Sequence, residues 1–277
     1  MKASIYKPKN PLLADCIDYF LFLKNSAGSG NYKTFPNTNL CLALYKKNAI
    51  DWNKEKNSCL LTECPANPKS MLFGFHKKPF SVFYQGEIVQ TCILFKPGGL
   101  SFFTKIPVNK IDHDDDPFTQ IFGKNLNDFA ERIFSSDDEE QQVAIWEDLL
   151  LQKLTSNSHH HRAVAWAIDQ MKLACTEEGT IVSRLSGQLG INASTLYRNF
   201  LSTVGQGPKE LYKTVRFRNS LSQLLARQQS VTHVAYNNNF FDQSHLIKDI
   251  HQFTGESPKR LQKRITEIQG TLLWVQE

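Results

Sequence analysis

The chain has 277 residues, 41% of them hydrophobic and 21% charged, which is the composition of an ordinary globular protein of about two domains. It has no run of about 18 apolar residues that would span a membrane, and its first residues lack the apolar core of a secretion signal. These features argue against a membrane protein, and we expect a cytoplasmic one.

Charge divides the chain into two unequal halves. Residues 1–158 contain 18 Lys and Arg against 18 Asp and Glu. Residues 159–277 contain 14 against 9 and so carry the whole net charge of +5. A basic half suits contact with phosphate groups, so this half is the candidate for nucleic-acid binding.

Short apolar runs separated by turn residues dominate the first part of the chain. We predict strands over residues 17–24, 40–45, 70–84 and 87–95, with 49–52 returning beside 40–45. Residues 25–31, rich in Gly and Ser, are predicted to be a loop, and Gln85-Gly86 a turn. Such a series of strands favours a β-barrel or a β-sandwich.

Helices are predicted to follow these strands at residues 117–122, 125–134 and 137–154, the last opening with the acidic run DDEE. Residues 155–158 read as a linker. We therefore predict an α+β chain, in which residues 1–155 form a mostly-β domain with a few helices and residues 159–277 form an all-α domain.

Four features of the chain have a functional and a plain interpretation. The run 159–161, three histidines, is expected to be a solvated linker, and the acidic run 112–116 a loop before a helix. The six cysteines are expected to be reduced, buried thiols, so no metal site and no cofactor is predicted. Most phenylalanines belong to a core, although a few could line a ligand pocket. Those few are Phe73, Phe75, Phe83, Phe95 and Phe102.

Two similar segments, starting at Thr180 and at Ser230, organise the second half. Each has an apolar-periodic helix, a tight turn at Gly190 or Asn239, and a second helix with its own apolar stripe. Gly and Asn are the residues that best tolerate the left-handed backbone of such a turn. The pattern predicts two helix-turn-helix units, and the alternative is two helical hairpins without a binding role.

The second segment resembles the AraC/XylS family of transcription regulators. The resemblance lies in FFDQSHL at 240–246 and FTGESP at 253–258. The first segment keeps fewer family positions, which are Leu185, Gly190, Leu196, Phe200, Gly205 and Pro208. The chain departs from the family pattern at Asn239, where Gly is usual, and at Asp249 and Ile250, where a hydrophobe and an aromatic residue are commoner.

The resemblance implies a domain of seven helices, with one long helix at about 208–227 between the two reading helices. Residues KPGGL at 96–100 and the 111–122 stretch are similar to the front domain of one branch of these regulators. In that branch the front domain senses a ligand or a partner, so the resemblance implies that residues 1–155 are a sensor or regulatory domain and residues 159–277 a DNA-binding domain. The implied partners are double-stranded DNA, RNA polymerase, a small-molecule effector and a second copy of the chain.

The candidate DNA contacts lie on the second helix of each unit. Asn192 and Asp242 are the predicted N-caps. Arg198 is the best candidate for a guanine contact, with a phosphate contact as the alternative, and Gln243 can pair with adenine. His245 and Ser244 have the alternative of only capping and packing. The full candidate set is Ser194, Thr195, Tyr197, Arg198, Gln243, Ser244, His245 and Lys248.

The leading hypothesis is a sequence-specific DNA-binding transcription regulator that performs no catalysis. One alternative is a front domain that serves only dimerisation or protein interaction. A second is a fusion to a DNA-repair methyltransferase with a zinc-bound cysteine, for which only Cys59 and Cys64 approach the required spacing. The operator, the effector, the sign of regulation and the oligomeric state are left open.

Overall fold

A computed structural model describes residues 1–53, 55–64, 67–155, 159–173, 180–226, 229–268 and 272–276. Within these ranges the chain forms a β-rich N-terminal region of two sheets and a helical C-terminal region. This confirms the predicted α+β class. No helix of the described ranges has the length and the apolar character needed to cross a bilayer.

The first sheet has five antiparallel strands in the order β1-β2-β9-β4-β7. Their bounds are β1 Lys2–Tyr6, β2 Ile17–Asn25, β4 Leu40–Tyr45, β7 Lys69–Phe73 and β9 Ile88–Phe95. Successive side chains of a strand point to opposite faces, and both faces of this sheet are buried. The central strands are therefore apolar almost throughout, as in the run IDYFLFLK.

The second sheet packs against one face of the first and includes two strands that follow the last helix, so the prediction that residues 159–277 are all-α was wrong for residues 265–268 and 272–276. Its order is β10-β11-β3-β8-β6-β5, and the β6–β8 pair is parallel. The bounds are β3 Ser29–Thr34, β5 Asn48–Asn53, β6 Ser58–Glu63, β8 Phe80–Gln85, β10 Ile265–Ile268 and β11 Leu272–Gln276.

Helices cover the other face of the first sheet. The short α1 spans Pro11–Ala14, and α2, α3 and α4 span Pro117–Phe122, Leu126–Ile133 and Glu139–Lys153. Trp146 of α4 is fully buried, and its indole N–H donates a 3.0 Å hydrogen bond to Thr91 Oγ1 on β9. The side chains of Asp116, Asn125 and Asp138 cap the three later helices, as the acidic and polar residues at these positions predict.

The predicted strands at 17–24, 40–45 and 87–95 are confirmed, but the prediction of one strand over 70–84 was wrong. Two strands of different sheets, β7 and β8, lie there. Phe75 has a left-handed φ of 59° between them, so the chain leaves one sheet and enters the other. The turn predicted at Gly86 is present, and this residue has a left-handed φ of 83°. The turn connects β8 of the second sheet to β9 of the first, so it does not close a hairpin.

Two smaller predictions about the first region also need correction. The return at 49–52 exists as β5, but β5 pairs with β6 and not with β4. The loop predicted at 25–31 ends early, since β3 begins at Ser29 and pairs with β8. Local sequence does not specify the pairing of β5 with β6 or of β3 with β8, because the alternating pattern of each strand is compatible with more than one neighbouring strand.

Most of the predicted linker, at 156–158, lies outside the described residues. The three histidines open helix α5, His159–Leu173, so they are not the solvated linker that we predicted. The ring of His161 stacks on Phe102, with 5.6 Å between the ring centroids. This stacking brings the start of α5 against the N-terminal region.

After residue 158, the part of the chain that the structure describes contains seven helices, as the family resemblance implies. They are α5 and then α6 Ile181–Gln188, α7 Ala193–Thr203, α8 Pro208–Ala226, α9 Val231–Asn237, α10 Gln243–Thr254 and α11 Pro258–Arg264. One apolar cluster joins α5 to α8 around Leu196, Phe200 and Tyr212. A second joins α8 to α11 around Phe217, Leu246 and Ile250.

Further contacts join the two regions. A Cβ atom on Gly205, after α7, would lie 2.7 Å from Phe75 and 2.9 Å from Val108 of the N-terminal region. Phe35, which follows β3, is buried in the apolar cluster of α8 to α11. Finally, α11 runs directly into β10, and β11 pairs with β3 at the edge of the second sheet.

Candidate DNA-binding surface

The first helix-turn-helix unit consists of α6, a turn at Gly190 and α7. Gly190 has a φ of 66°, which is the left-handed conformation predicted from its residue type. Asn192 caps α7, since its side chain accepts a 2.7 Å hydrogen bond from the backbone N–H of Thr195. Leu196 and Phe200 are buried at helical spacing, so the remaining face of α7 points outward.

The four candidates of the first unit lie at the N-terminal end of this outward face. Ser194 and Arg198 are exposed and Thr195 is half-buried. Arg198 Nη2 donates a 3.3 Å hydrogen bond to Thr195 Oγ1, which orients the guanidinium along the helix. Tyr197 is 48% exposed. Its ring lies over Gly207, where a Cβ atom would approach it to 2.6 Å.

The second unit repeats this geometry with different residues. Ser230 caps α9, and Asn239 in the turn has a φ of 57°, so Asn takes the left-handed position as predicted. The neighbouring Asn238 is buried and donates 2.9 Å hydrogen bonds to Gln223 Oε1 and to the Val234 carbonyl oxygen. Asp242 caps α10 by accepting a 2.7 Å bond from the His245 N–H.

Among the candidates of the second unit, Gln243, Ser244 and Lys248 are exposed. Gln243 Oε1 accepts a 2.9 Å hydrogen bond from Thr232 Oγ1 on α9, which leaves its amide N–H groups as donors. His245 is half-buried, and its ring packs edge-on against Phe240 at 5.2 Å.

A buried ion pair accounts for the unusual residue Asp249. Arg216 of α8, with a side chain only 3% exposed, donates a 2.9 Å hydrogen bond to Asp249 Oδ2 on α10. The same guanidinium lies over the ring of Phe240, 4.3 Å from its centroid. Asp249 is thus the counterion that Arg216 needs in the core of the second unit.

The basic residues of α8 and α11 differ in their exposure and in their partners. Arg216 is buried, and Arg218 faces the N-terminal sheets. Arg260 and Arg264 of α11 both pair with the buried carboxylate of Glu256. Lys259 and Lys263 of the same helix are exposed.

Sequence reasoning missed two exposed aromatic residues beside α10. Phe241, directly before the Asp242 cap, is 87% exposed, and Tyr236 near the end of α9 is 66% exposed. A large exposed phenylalanine next to a helix cap is unusual in a soluble domain and indicates a contact surface. The signal available in the sequence was the pair Phe240-Phe241, of which only the first is needed for the core.

A second candidate site lies between the two sheets of the N-terminal region. This inter-sheet cavity has a volume of about 140 Å³ and is bounded by β2, β4 and β9 on one side and by β3 and β8 on the other. Arg218 of α8 also lines it. Of the phenylalanines proposed for a pocket, Phe73 and Phe75 line it. Phe95 is in the core under the helices, Phe83 is 42% exposed and Phe102 stacks on His161.

The walls of this cavity include six Tyr and Phe side chains and one histidine. The His76 ring stacks on Phe80, with centroids 4.7 Å apart, and Phe80 packs in turn on Trp52. Burial, helped by the nearby His113, lowers the pKa of His76 to about 4. The imidazole is therefore neutral near pH 7.

Five of the six cysteines lie in the described ranges, and these five are free thiols. Cys16, Cys59 and Cys92 are buried as expected, whereas Cys41 and Cys64 are half-buried. Cys175 lies outside the described residues. Burial raises the pKa of Cys59 to about 12, so its thiol is protonated.

In the acidic run 112–116, Asp116 caps α2 and accepts a 2.7 Å hydrogen bond from Ser70.

Comparison with known proteins gives two family matches. Residues 185–264, which include most of both units, match the family described as a helix-turn-helix domain. Residues 4–115 match a family described as a domain of unknown function. No curated protein matches the chain.

Several solved structures are similar to this chain at low sequence identity. ToxT from Vibrio cholerae is 9% identical, covers 87% of this chain and 98% of its own, and superposes with a TM-score of 0.44. The C-terminal domain of AraT from Geobacillus stearothermophilus is 15% identical, covers 38% of this chain and 88% of its own, and gives 0.36. A DNA-binding dual regulator from Escherichia coli is 18% identical, covers 39% and 96%, and gives 0.30.

Proposed function

We propose that this chain is an AraC-type DNA-binding transcription regulator and that both of its helix-turn-helix units, which lie largely within the matched residues 185–264, read DNA sequence. In this proposal α7 and α10 enter successive major-groove segments, about 34 Å or one helical turn apart. The N-terminal region, with its inter-sheet cavity, binds a small molecule and controls that reading. The protein acts by binding and not by catalysis.

The observation that carries the proposal is the repeated presentation of a capped helix. Asn192 and Asp242 cap α7 and α10 in the same way, each accepting from the backbone N–H three residues on. Gly190 and Asn239 hold the two turns in the same left-handed conformation. Each cap directs the first turn of its helix outward, where the exposed polar residues can reach base edges.

Different roles follow for the candidate residues. Arg198 of the first unit offers a guanidinium fork to guanine O6 and N7. Gln243 offers its amide to adenine, while Lys248 and the exposed Lys259 and Lys263 contact phosphates. Ser194, Thr195 and Ser244 lie close enough to the helix starts for base or phosphate contacts. Tyr197 and His245 pack against their own units and support these contacts.

Control by the N-terminal region is supported by the position of the cavity. Arg218 belongs to α8, the helix between the two units, and lines a space that is otherwise formed by the N-terminal sheets. A molecule in the cavity would therefore touch both regions. Because α8 packs on α6, α7, α9 and α10, its position affects both reading helices.

Selection of bound DNA from a random duplex pool, with the full chain, tests the proposal. We expect a bipartite motif with two blocks about one helical turn apart. The Arg198→Ala variant should lose preference in one block and the Gln243→Ala variant in the other. Enrichment of a single block would show that one unit reads DNA alone, and absence of any motif would contradict sequence-specific binding.

A further inference from the structure

Phe241 is the most exposed large hydrophobic side chain among the described residues, with 87% of its surface accessible to water. It lies directly before Asp242, whose side chain caps the reading helix α10. The preceding residue, Phe240, is only 4% exposed and packs in the apolar cluster of the second unit. The core of this unit therefore uses the first of two consecutive phenylalanines and leaves the ring of the second in water.

The usual structural role of an apolar residue at this position is not filled by Phe241. A hydrophobic residue directly before a helix N-cap often packs on the residue four positions after the cap, and this contact fixes the entry of the chain into the helix. The corresponding residue here is Leu246, which is fully buried in the cluster that contains Phe240. Because Phe241 stays exposed, it adds little to the stability of the unit, and its replacement should leave the fold intact.

The backbone presents Phe241 at the end of α10 that carries the candidate DNA contacts. Thr232, near the start of α9, donates a 2.9 Å hydrogen bond to Gln243 Oε1 in the first turn of α10, so the N-terminal ends of the two helices lie together. The Phe241 N–H donates a 3.4 Å bond to His245 Nδ1, and the His245 N–H donates a 2.7 Å bond to Asp242 Oδ1. These bonds tie the backbone of Phe241 to the first turn of the reading helix.

A phenyl ring at this end of the helix matches one apolar group of the major groove. The base edges there consist of hydrogen-bond donors and acceptors, together with the C5-methyl group of thymine, and phenylalanine is among the side chains that contact this methyl group. The exposed side chains of Gln243 and Ser244 offer hydrogen bonds to the polar positions. Phe241, two residues before Gln243, offers an apolar contact beside them.

We infer that Phe241 recognises the methyl group of a thymine next to the base pair that Gln243 contacts. The inference rests on the proposed function, to which it adds an apolar specificity determinant in the second unit. A protein partner is the other kind of molecule that could cover this ring. Binding of the ring to such a partner would make the affinity for DNA independent of any thymine methyl group, so the two occupants are separated by experiment.

Replacement of thymine by deoxyuridine tests the inference without a change in the protein. In the selected DNA site, each thymine of the block that the Gln243→Ala variant ceases to prefer is replaced singly, on both strands, so that only its methyl group is lost. Fluorescence anisotropy measures binding of the full chain. We expect one position to lose affinity by about fourfold, the effect of one buried methyl group, and the others to change little. No such position, or a block without thymine, would overturn the inference.

A double-mutant cycle assigns the methyl contact to Phe241. The Phe241→Ala variant should bind the thymine duplex about tenfold more weakly than the unaltered chain and should bind the thymine and deoxyuridine duplexes equally. Phe83→Ala, which removes a 42% exposed phenylalanine of β8, is the matched control and should behave as the unaltered chain. Far-UV circular dichroism checks that both variants are folded.

Two results with the Phe241→Ala variant would contradict the inference. A retained fourfold preference for thymine would assign the methyl contact to another side chain, and an unchanged affinity for DNA would leave the ring to a protein partner. Phe241→Leu keeps an apolar side chain and should retain about half of the preference. A selected motif without any methyl effect would overturn this inference alone, whereas absence of a motif would contradict the proposed function and this inference with it.

Discussion

Arg216 of α8 and Asp249 of α10 form a 2.9 Å hydrogen-bonded ion pair inside the second helix-turn-helix unit, where the arginine side chain is 3% exposed. The pair fixes the reading helix α10 to the helix that connects the two units. The guanidinium also covers Phe240, so one arginine joins the ion pair to the apolar cluster of this unit. Removal of either partner leaves a charge with little access to water.

Loss of this pair should destabilise the C-terminal region. We expect Asp249→Leu to lower the free energy of unfolding by about 3 kcal/mol, because Arg216 is left buried without its counterion. The double variant Arg216→Met with Asp249→Leu should recover most of this loss. Urea unfolding followed by far-UV circular dichroism measures both. A double variant as unstable as the single one would contradict the explanation.

The case of Asp249 shows what the sequence could and could not predict. The two reading helices, their N-caps and both left-handed turns follow from local residue types, and these features were predicted. Asp249 was visible only as a departure from a family pattern, because its partner lies 33 residues away. For the same reason, the sequence did not predict that β7 and β8 belong to different sheets or that Arg218 lines the cavity. Each of these features depends on contacts between residues that are distant in sequence.

Arg198 provides a direct test of the first reading helix. If it contacts guanine, Arg198→Ala should weaken binding to the selected DNA site by about 1–3 kcal/mol and relax preference at one base pair. Fluorescence anisotropy with specific and random duplexes, at several salt concentrations, measures this loss. Arg132→Ala on the N-terminal region is the control. An equal loss on both duplexes, with a smaller salt dependence, would instead identify a phosphate contact.

Lowering the pH should decrease the stability of the N-terminal region, because His76 is buried in its neutral form. Its folded pKa is lowered to about 4 by burial, whereas an unfolded histidine titrates near 6.5. Between these values the unfolded state binds more protons, so stability falls as pH falls from about 6.5 to about 4. The penalty stops growing below that range. Its size is at most about 3 kcal/mol.

Comparison with a His76→Gln variant isolates this contribution from that of the carboxylates. Unfolding free energies of both proteins are measured from pH 7.5 to pH 4. The unaltered chain should lose more stability than the variant across this range, and most of the difference should arise between pH 6.5 and pH 4. Parallel pH profiles for the two proteins would show that His76 is not the responsible group.

The pairing of β11 with β3 gives a final prediction about how the two regions are joined. Backbone positions 274–276 pair with 32–34, and α11 of the second unit leads directly into this hairpin. A variant that ends at Arg264 would expose one edge of β3. Amide hydrogens in residues 32–34 should then exchange faster, by about tenfold or more, as an unpaired edge frays.

Hydrogen exchange followed by mass spectrometry measures this effect, and peptides from β2 and β9 in the first sheet serve as the internal control. Tyr32 and Thr34 also line the inter-sheet cavity, so the loosened edge should weaken any ligand bound there. Unchanged exchange at 32–34 would mean that the hairpin does not hold β3 in solution. Faster exchange throughout the chain would instead indicate general destabilisation. Only faster exchange confined to the edge of β3 supports a specific connection between the second unit and the cavity wall.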